Sequence, residues 1–459
     1  MQLLEQRLIF SATDLSNFLA CPHLSLLDRR TAEGGPRPRV FDDPGLEVLR
    51  RRGQEHEAAY LARLQARADL RVVRIDELRD EESYEKRRAD RVAATLEAMH
   101  DGADVIYQGA LFDGTWIGYP DFLERVDRPS RLGDWSYEVV DTKLAREAKG
   151  GALLQVLLYV DLLAGVQGSA PENVKLALGG PEARIETFRV ADYAAYFRSV
   201  KARFLRFMTE ASRELPVAVD PVGHCDICRW SLHCDDERRD RDHLSLVAGI
   251  TRSQRRALVE RGTETVERLA VLSLPPAPPI DGIGAHALER IREQARIQVA
   301  GRRAERIVHE LLRPVVAGQG LAALPEPTAA DLFLDFEGDP YALTDGLEYL
   351  LGFVDRTGEY TGWWAFTREQ ERAAFERFID LVMQRLEAEP GMHIYHYGAY
   401  ERTALTRLMG RYATREEEVD RLLRGEVLVD LHRVVRQGLR ASVESYSIKR
   451  LEPLYGFTR

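Results

Sequence analysis

The chain has 459 residues, of which 45% are apolar and 30% charged, so it is neither disordered nor collagen-like, and its length implies two to four domains. Lysine and arginine total 64 against 74 acids, a net charge of −10, so any nucleic-acid contact must come from local basic grooves rather than a globally cationic surface. No run of eighteen apolar residues occurs and MQLLEQRLIF lacks a basic segment followed by an apolar stretch, which reads as a cytoplasmic protein.

In chain order, FSATDLSNFLACPHLSLL offers Ser11 or Thr13 as a helix cap ahead of Leu15, Phe18 and Leu19 at helical spacing. Residues 51–67 and 82–99, rich in Arg, Glu and Ala, predict two more helices. VIYQGALF, TWIGYPDFLERV and YEVVDTKL predict short strands separated by Asp-Gly and Gly-Asp turns. A helix over GALLQVLLYVDLL, a strand over VKLALGG and a helix over 193–214 follow. From 244 to 314 the chain is helical and Arg-rich, broken by PPAPP at 275–279. Within it, IDGIGAHALERI is either an ordinary helix cap or the Gly-containing turn of a helix-hairpin-helix, whose amides can face a phosphate. The third region predicts strands over DLFLDFEGDP and EYLLGFVD, a helix over 368–387, a strand at HIYHY and a helix over 399–411. The fold class is α/β, with boundaries at 1–240, 241–320 for the helical connector, and 325–459.

Strand alternation in YEVVDTK places Asp141 and Lys143 on one face and Glu138 on the other. Upstream stand Gly53-Gln54-Glu55-His56 and Gly118-Tyr119-Pro120-Asp121; downstream, Gln155 and Tyr159 share a helix face. Phosphodiester hydrolysis needs a hard divalent cation, Mg²⁺ or Mn²⁺, held by oxygen ligands, and a group that orients the attacking water. Asp121 and Asp141 supply such oxygens, His56 a further ligand and Lys143 a polarising amine. Only six lysines occur, so a lysine inside a motif speaks for its compact, titratable amine. Alone, Asp-x-Lys is an ordinary surface ion pair. The ordered set, however, resembles the RecB-type PD-(D/E)XK nucleases. That resemblance implies a restriction-endonuclease-like core with helical flanks, DNA as the partner, His56, Asp121, Asp141 and Lys143 as the active site, and Gln155 with Tyr159 as the accessory motif.

Four cysteines in a cytosolic chain are metal ligands or reactive thiols more often than disulfides. Cys225, Cys228 and Cys234 form C-x2-C-x5-C, and Cys21 lies 225 − 21 = 204 positions earlier. Structural zinc usually takes two close pairs. This pattern instead resembles the iron–sulfur RecB-like nucleases, related to the AddB subunit and the CRISPR-adaptation nucleases, and implies a 4Fe-4S cluster on the four thiolates that ties the ends of the domain together. Zinc and unrelated buried thiols are the alternatives; His224 and His233 then stand beside the ligands rather than among them.

Asp335 and Glu337 in DLFLDFEGD project from one strand face, a spacing suited to bridging two divalent cations. With YHYGAYE and VLVDLHRVV following, the order resembles the DEDD exonucleases of the RNase H fold, and SYSIKRLEPLYGF resembles the YprB-like RNase H-type domain fused to RecB-like nucleases. The resemblance implies Asp335 and Glu337 as the first motif, Glu401 or Asp430 as the third acid, and a last acid beyond the point this sequence reaches, so the domain is expected to be incomplete. A superfamily-1 helicase is the partner it implies, and the chain itself carries no Walker loop. The expected function is DNA cleavage in repair, recombination or processing. The alternatives are an RNA-directed 3′–5′ exonuclease run by the third region, or a non-cleaving nucleic-acid-binding module for a helicase.

Overall fold

The computed structural model describes residues 1–39, 44–77, 84–180, 184–210, 220–340, 342, 343 and 345–457; positions 82, 83 and 211–214 of two expected helices lie outside them. The chain divides into two compact units, Met1–Glu237 and Arg238–Arg459.

In the first unit, strands β1 (Val72–Arg74), β2 (Val105–Tyr107), β3 (Phe122–Val126), β4 (Ser136–Lys143), β5 (Asn173–Leu178) and β6 (Arg184–Arg189) form one sheet in the order β6-β5-β4-β3-β2-β1. Central β4 runs antiparallel to β3 and parallel to β5. It is covered on both faces: Tyr137 and Val139 join one apolar cluster, Val140 joins Tyr60, Phe122 and Ala177 in another. A strand buried on both sides is largely apolar on both, and Tyr137, Val139 and Val140 meet that demand before the chain reaches Asp141, while the buried Glu138 on the second face accepts from the Asn173 amide. Helices α1 (Ala12–Ala20), α2 (Pro22–Ala32), α3 (Pro44–Gln65), α4 (Tyr84–His100), α5 (Gly150–Gln167) and α6 (Val190–Glu210) surround the sheet. By composition α5 is apolar and long enough to cross a membrane. Its Leu154, Val156, Leu158, Val160 and Leu163 instead fill the core. Ser11 caps α1, and the Asp14 carboxylate accepts from the Ser11 amide at 2.8 Å. A strand pair, Gln2–Leu4 with Arg7–Ser11, has no counterpart in the expected elements. Its turn residues Glu5 and Gln6 adopt φ 44° and 67° without the Gly or Asn that marks such turns.

In the second unit, β7 (Leu332–Asp339), β8 (Leu347–Asp355), β9 (Tyr360–Trp364), β10 (Ile394–His396) and β11 (Leu428–Asp430) form a sheet in the order β9-β8-β7-β10-β11. The first three strands are antiparallel and the last two parallel to β7. Leu332, Leu334 and Phe336 alternate into a core with Phe375, Phe378 and Val382 of α8 (Arg368–Ala388) and Ala404, Leu405 and Leu408 of α9 (Tyr400–Tyr412). The expected connector belongs to this unit. Its helix α7 (Ala285–Arg303) packs with Leu244, Leu258 and Leu269, and Gln294 on α7 donates to the Ala441 carbonyl at 2.9 Å. Gly284 is the N-cap of α7.

Candidate functional sites

In the first unit the end of β4, the entry to β3 and the middle of α3 converge. Lys143 Nζ pairs with Asp141 Oδ2, as two side chains on one strand face should. Asp141 is fully buried, and apart from Lys143 its oxygens have no partner, so the lysine is its one compensating charge among the described residues. Burial, with the Asp121 charge nearby, pushes the Asp141 carboxyl up to about 7 despite Lys143. Asp121 is held from the next strand: its Oδ2 accepts from the amide and hydroxyl of Thr142, each at 2.7 Å. That leaves Oδ1 for another partner.

Glu57 is the participant that the sequence did not single out. It lies near Asp121 and Lys143, accepts from Tyr107 Oη at 2.9 Å and from Gln108, and burial together with Asp121 raises its carboxyl above the ordinary range. Gln108 itself sits at φ 53°, an outlier for a non-glycine residue, and its amide holds the Asp121 carbonyl at 2.7 Å. His56, one residue earlier on α3, has its Nε2 3.0 Å from the Ala177 carbonyl. A carbonyl oxygen only accepts, so Nε2 carries a proton, the arrangement in which a second bond orients an imidazole that ligates through Nδ1. The signal for Glu57 was present in GQEHEAA, where two adjacent side chains with ligand chemistry stand about 100° apart around the helix.

Gln155 Nε2 donates to Tyr159 Oη at 2.9 Å, so the two accessory residues do meet. Burial and the Asp141 charge raise the Tyr159 phenol. A Cβ on Gly118 would fall 2.7 Å from the Tyr159 ring; that glycine lets α5 lie against the strand leading to Asp121. Glu138, on the opposite face, accepts from the Asn173 amide at 3.0 Å.

None of the four cysteines is joined in a disulfide. Cys21 and Cys228 pack around the cluster of Leu24, Leu27, Trp230 and Cys234, and burial raises the Cys228 thiol, with Cys225 and Cys21 close enough to add to the effect. Backbone amides of Val222 and Trp230 point at the sulfurs of Cys225 and Cys228, each at 3.4 Å. Trp230 also donates to the buried Asp28 carboxylate at 2.9 Å, which Arg229 pairs at 2.6 Å, so α2 and the cysteine segment are bound together. Among the described residues no group of three or more His, Cys, Asp or Glu side chains is preformed to hold a metal ion.

In the second unit Asp335 and Glu337 project from the exposed face of β7. Asp335 meets Glu401, at the start of α9, within hydrogen-bonding reach; burial, the Glu401 charge and Glu337 together raise its carboxyl. Glu401 is only 4% exposed, with Oε2 unpartnered and 3.5 Å from His396 Nδ1. Asp430 is otherwise engaged. Its Oδ1 accepts from the amides of Gly398 at 3.0 Å and His432 at 2.9 Å, capping α10 (Leu431–Gly438). Of the two candidates for the third acid, Glu401 is the one beside Asp335.

No curated protein matches the chain. Residues 332–459 match the RNase_H_2 family model of the RNase_H superfamily, and with Asp335 beside Glu401 and Glu337 on the same strand face, this end of the chain is an RNase H superfamily domain, which suggests a nuclease-type nucleic-acid-processing function.

Proposed function

We propose that the protein is a metal-dependent DNA nuclease whose principal site is the Asp121, Asp141 and Lys143 cluster of the first unit, a RecB-like PD-(D/E)XK centre. The observation that carries this reading is the fully buried Asp141, whose oxygens have no partner apart from a lysine, beside a second, oriented aspartate. Burying such an acid costs free energy that no packing need explains, whereas a cation drawn in by Asp121 and Asp141, with Glu57 and His56 Nδ1 as the further donors available on α3, would offset it. The donors are oxygens and one imidazole, a set suited to Mg²⁺ or Mn²⁺. Bound there, such an ion would supply a Lewis acid for the phosphate and a source of acidified water. Lys143 is placed to orient an attacking water or to face the charge growing on phosphorus, and Gln155 and Tyr159 to position the strand.

Cys21, Cys225, Cys228 and Cys234 are proposed to hold a 4Fe-4S cluster, which supplies a structural tie between α2 and the segment that closes the unit. Two amides already directed at sulfur fit thiolate ligands. A superfamily-1 helicase as partner and a role in DNA repair belong to the same reading.

A second reading, in which the RNase H domain does the cutting, is favoured by the meeting of Asp335 and Glu401. The test is incubation of the purified chain with end-labelled single- and double-stranded DNA and RNA in Mg²⁺ or Mn²⁺. DNA cleavage lost with Asp121→Ala supports the first reading, and cleavage of RNA alone, indifferent to Asp121, overturns it.

A further inference from the structure

The carboxylates of β7 do not stand on a bare sheet face. Strand register places residues in rows on the side that carries Asp335 and Glu337, because directly paired residues on neighbouring strands point the same way. One row runs Tyr395, Phe333, Val354, Tyr360; the next, Asp335, Gly352, Gly362; the third, Glu337, Leu350, Trp364. Aromatic rings therefore lie on both sides of the Asp335 row. In that row the two glycines leave room: a Cβ on Gly352 would come 3.1 Å from Tyr360 Oη, and one on Gly362 2.5 Å from it. The Tyr360 ring thus lies across both glycines, with its hydroxyl over the row that ends at Asp335.

A second group of rings extends from the Glu337 row. Gly338 pairs with Glu348 and Glu337 with Leu350, so Tyr349 is the extra residue of a β-bulge. Its ring is stacked on Trp364 at 6.1 Å and 20°, and Trp364 on Phe366 at 6.0 Å and 12°. Tyr360, Trp364 and Phe366 are 60%, 58% and 67% exposed. The opposite face of the same strands is spent on packing, with Trp363 against Phe353. Large aromatics left in water in a contiguous group mark a contact surface rather than a core. Exposed rings held near-parallel suit flat aromatic partners.

We propose that this face is a stacking platform for an unpaired nucleic-acid strand, with Tyr360 and the Tyr349–Trp364–Phe366 stack receiving bases of a strand whose backbone passes Asp335, Glu337 and Glu401. This rests on the RNase H domain handling nucleic acid. Every base has a π-face, so the platform reads no sequence. Paired bases are already stacked and hidden, so a duplex does not fit it. Asp335 and Glu337 stand in the rows themselves, so a divalent cation strengthens binding here, and stacking on the rings depends less on monovalent salt than binding through phosphate contacts does.

The experiment uses the full chain with a single-stranded oligonucleotide carrying a photoreactive 4-thiothymidine, Ca²⁺ in place of Mg²⁺, and peptide mapping after irradiation. Crosslinks within residues 349–366 are expected, competed by unlabelled single strand but not by duplex. They should fall roughly ten-fold in Trp364→Ala and return in Trp364→Phe; Trp364 is exposed, so circular dichroism should show the variant folded. Crosslinks confined to other segments, or crosslinks here unchanged in Trp364→Ala, overturn the platform. A dimer in sedimentation without oligonucleotide, lost in Trp364→Ala, also overturns it, because a second copy then covers the rings. Asp335→Asn with Glu337→Gln separates the two ideas: crosslinking retained while cleavage is unaffected sinks catalysis by this domain and leaves the platform standing.

Discussion

The two units solve the same chemical problem, gathering acids that repel each other, in opposite ways. In the first, Asp141 is withdrawn from water behind a strand covered on both faces and is compensated by Lys143, so its environment is dry and its carboxyl sits near 7. In the second, Asp335 and Glu337 stand on an exposed face, and the buried partner is Glu401 on a different element. The difference teaches where each site draws its binding energy. A buried acid gains strongly from a cation because water no longer competes. Two exposed acids with one buried partner gain less and depend on every ligand being present.

The largest expected effect breaks the first site outright. Asp121→Ala removes an oriented oxygen and should reduce DNA cleavage on the order of a thousand-fold, the scale on which lost transition-state charge stabilisation falls. Lys143→Arg should not rescue, because a guanidinium is bulkier and does not give up its proton. Product ladders from labelled DNA check both, and full activity in Lys143→Arg sinks the role given to the amine.

Next comes the metal tie proposed for the first unit. Protein purified without oxygen should be brown, absorbing broadly at about 400 nm where thiolate-to-iron charge transfer falls. Cys228→Ser should lose colour and iron together, with a thermal midpoint lower by several degrees, since ligation energy is also folding energy. Unchanged iron content and midpoint in that variant would exclude the cluster.

The pH responses of the units should have opposite signs. Asp141 is raised from 3.8 to about 7, so the stability it allows is fully present below about 4 and is lost as pH rises through 7. Glu371 is the reverse. Burial would raise it, but Tyr412, the Glu348 amide and Arg368 outweigh burial and hold it below 4.5, with Arg411 also at 3.0 Å. Its contribution is present above that value and lost as pH falls through the folded one. Glu371→Gln should destabilise by about 3 kcal/mol near neutrality and by less in acid, whereas Asp141→Asn should raise the midpoint at pH 8 more than at pH 5. Thermal melts of each variant across pH test this, and parallel shifts for the two would refute the assignment.

Much of this was legible in the sequence, for physical reasons. Asp141 and Lys143 were paired by strand period alone, and Gln155 with Tyr159 by helix period, because local geometry decides such contacts. β7 and β8 were readable as apolar runs. Strand β9 was not, since YTGWW lacks clean alternation, and neither was the first hairpin, whose turn uses Glu5 and Gln6. Glu57 and Gln108 escaped because they reach Asp121 through tertiary placement of α3 and of a residue at φ 53°. Choosing Glu401 over Asp430 likewise required knowing that Asp430 caps α10, which sequence spacing does not reveal.

The smallest expected effect is the sharpest test of the comparison. If the second-unit acids cannot hold two cations with Asp335, Glu337 and Glu401 alone, replacing Asp335 and Glu337 by alanine should change DNA cleavage by less than about three-fold, well inside the variation of ordinary surface substitutions. The buried site would continue to act, since its oxygens, lysine and accessory pair lie wholly within the first unit. Measured beside Asp121→Ala under identical metal and salt, the double variant therefore ranks the two sites directly. Loss of cleavage in the double variant with activity retained in Asp121→Ala would invert the ranking, and the trio would then need a further acid, with Asp430 and Glu444 the first to replace. Glu444 is paired with Arg239 at 2.7 Å, so recruiting it means breaking that pair, whereas Asp430 has only to share an oxygen with the amides it caps. Asp430→Asn is accordingly the first variant to make if the ranking inverts.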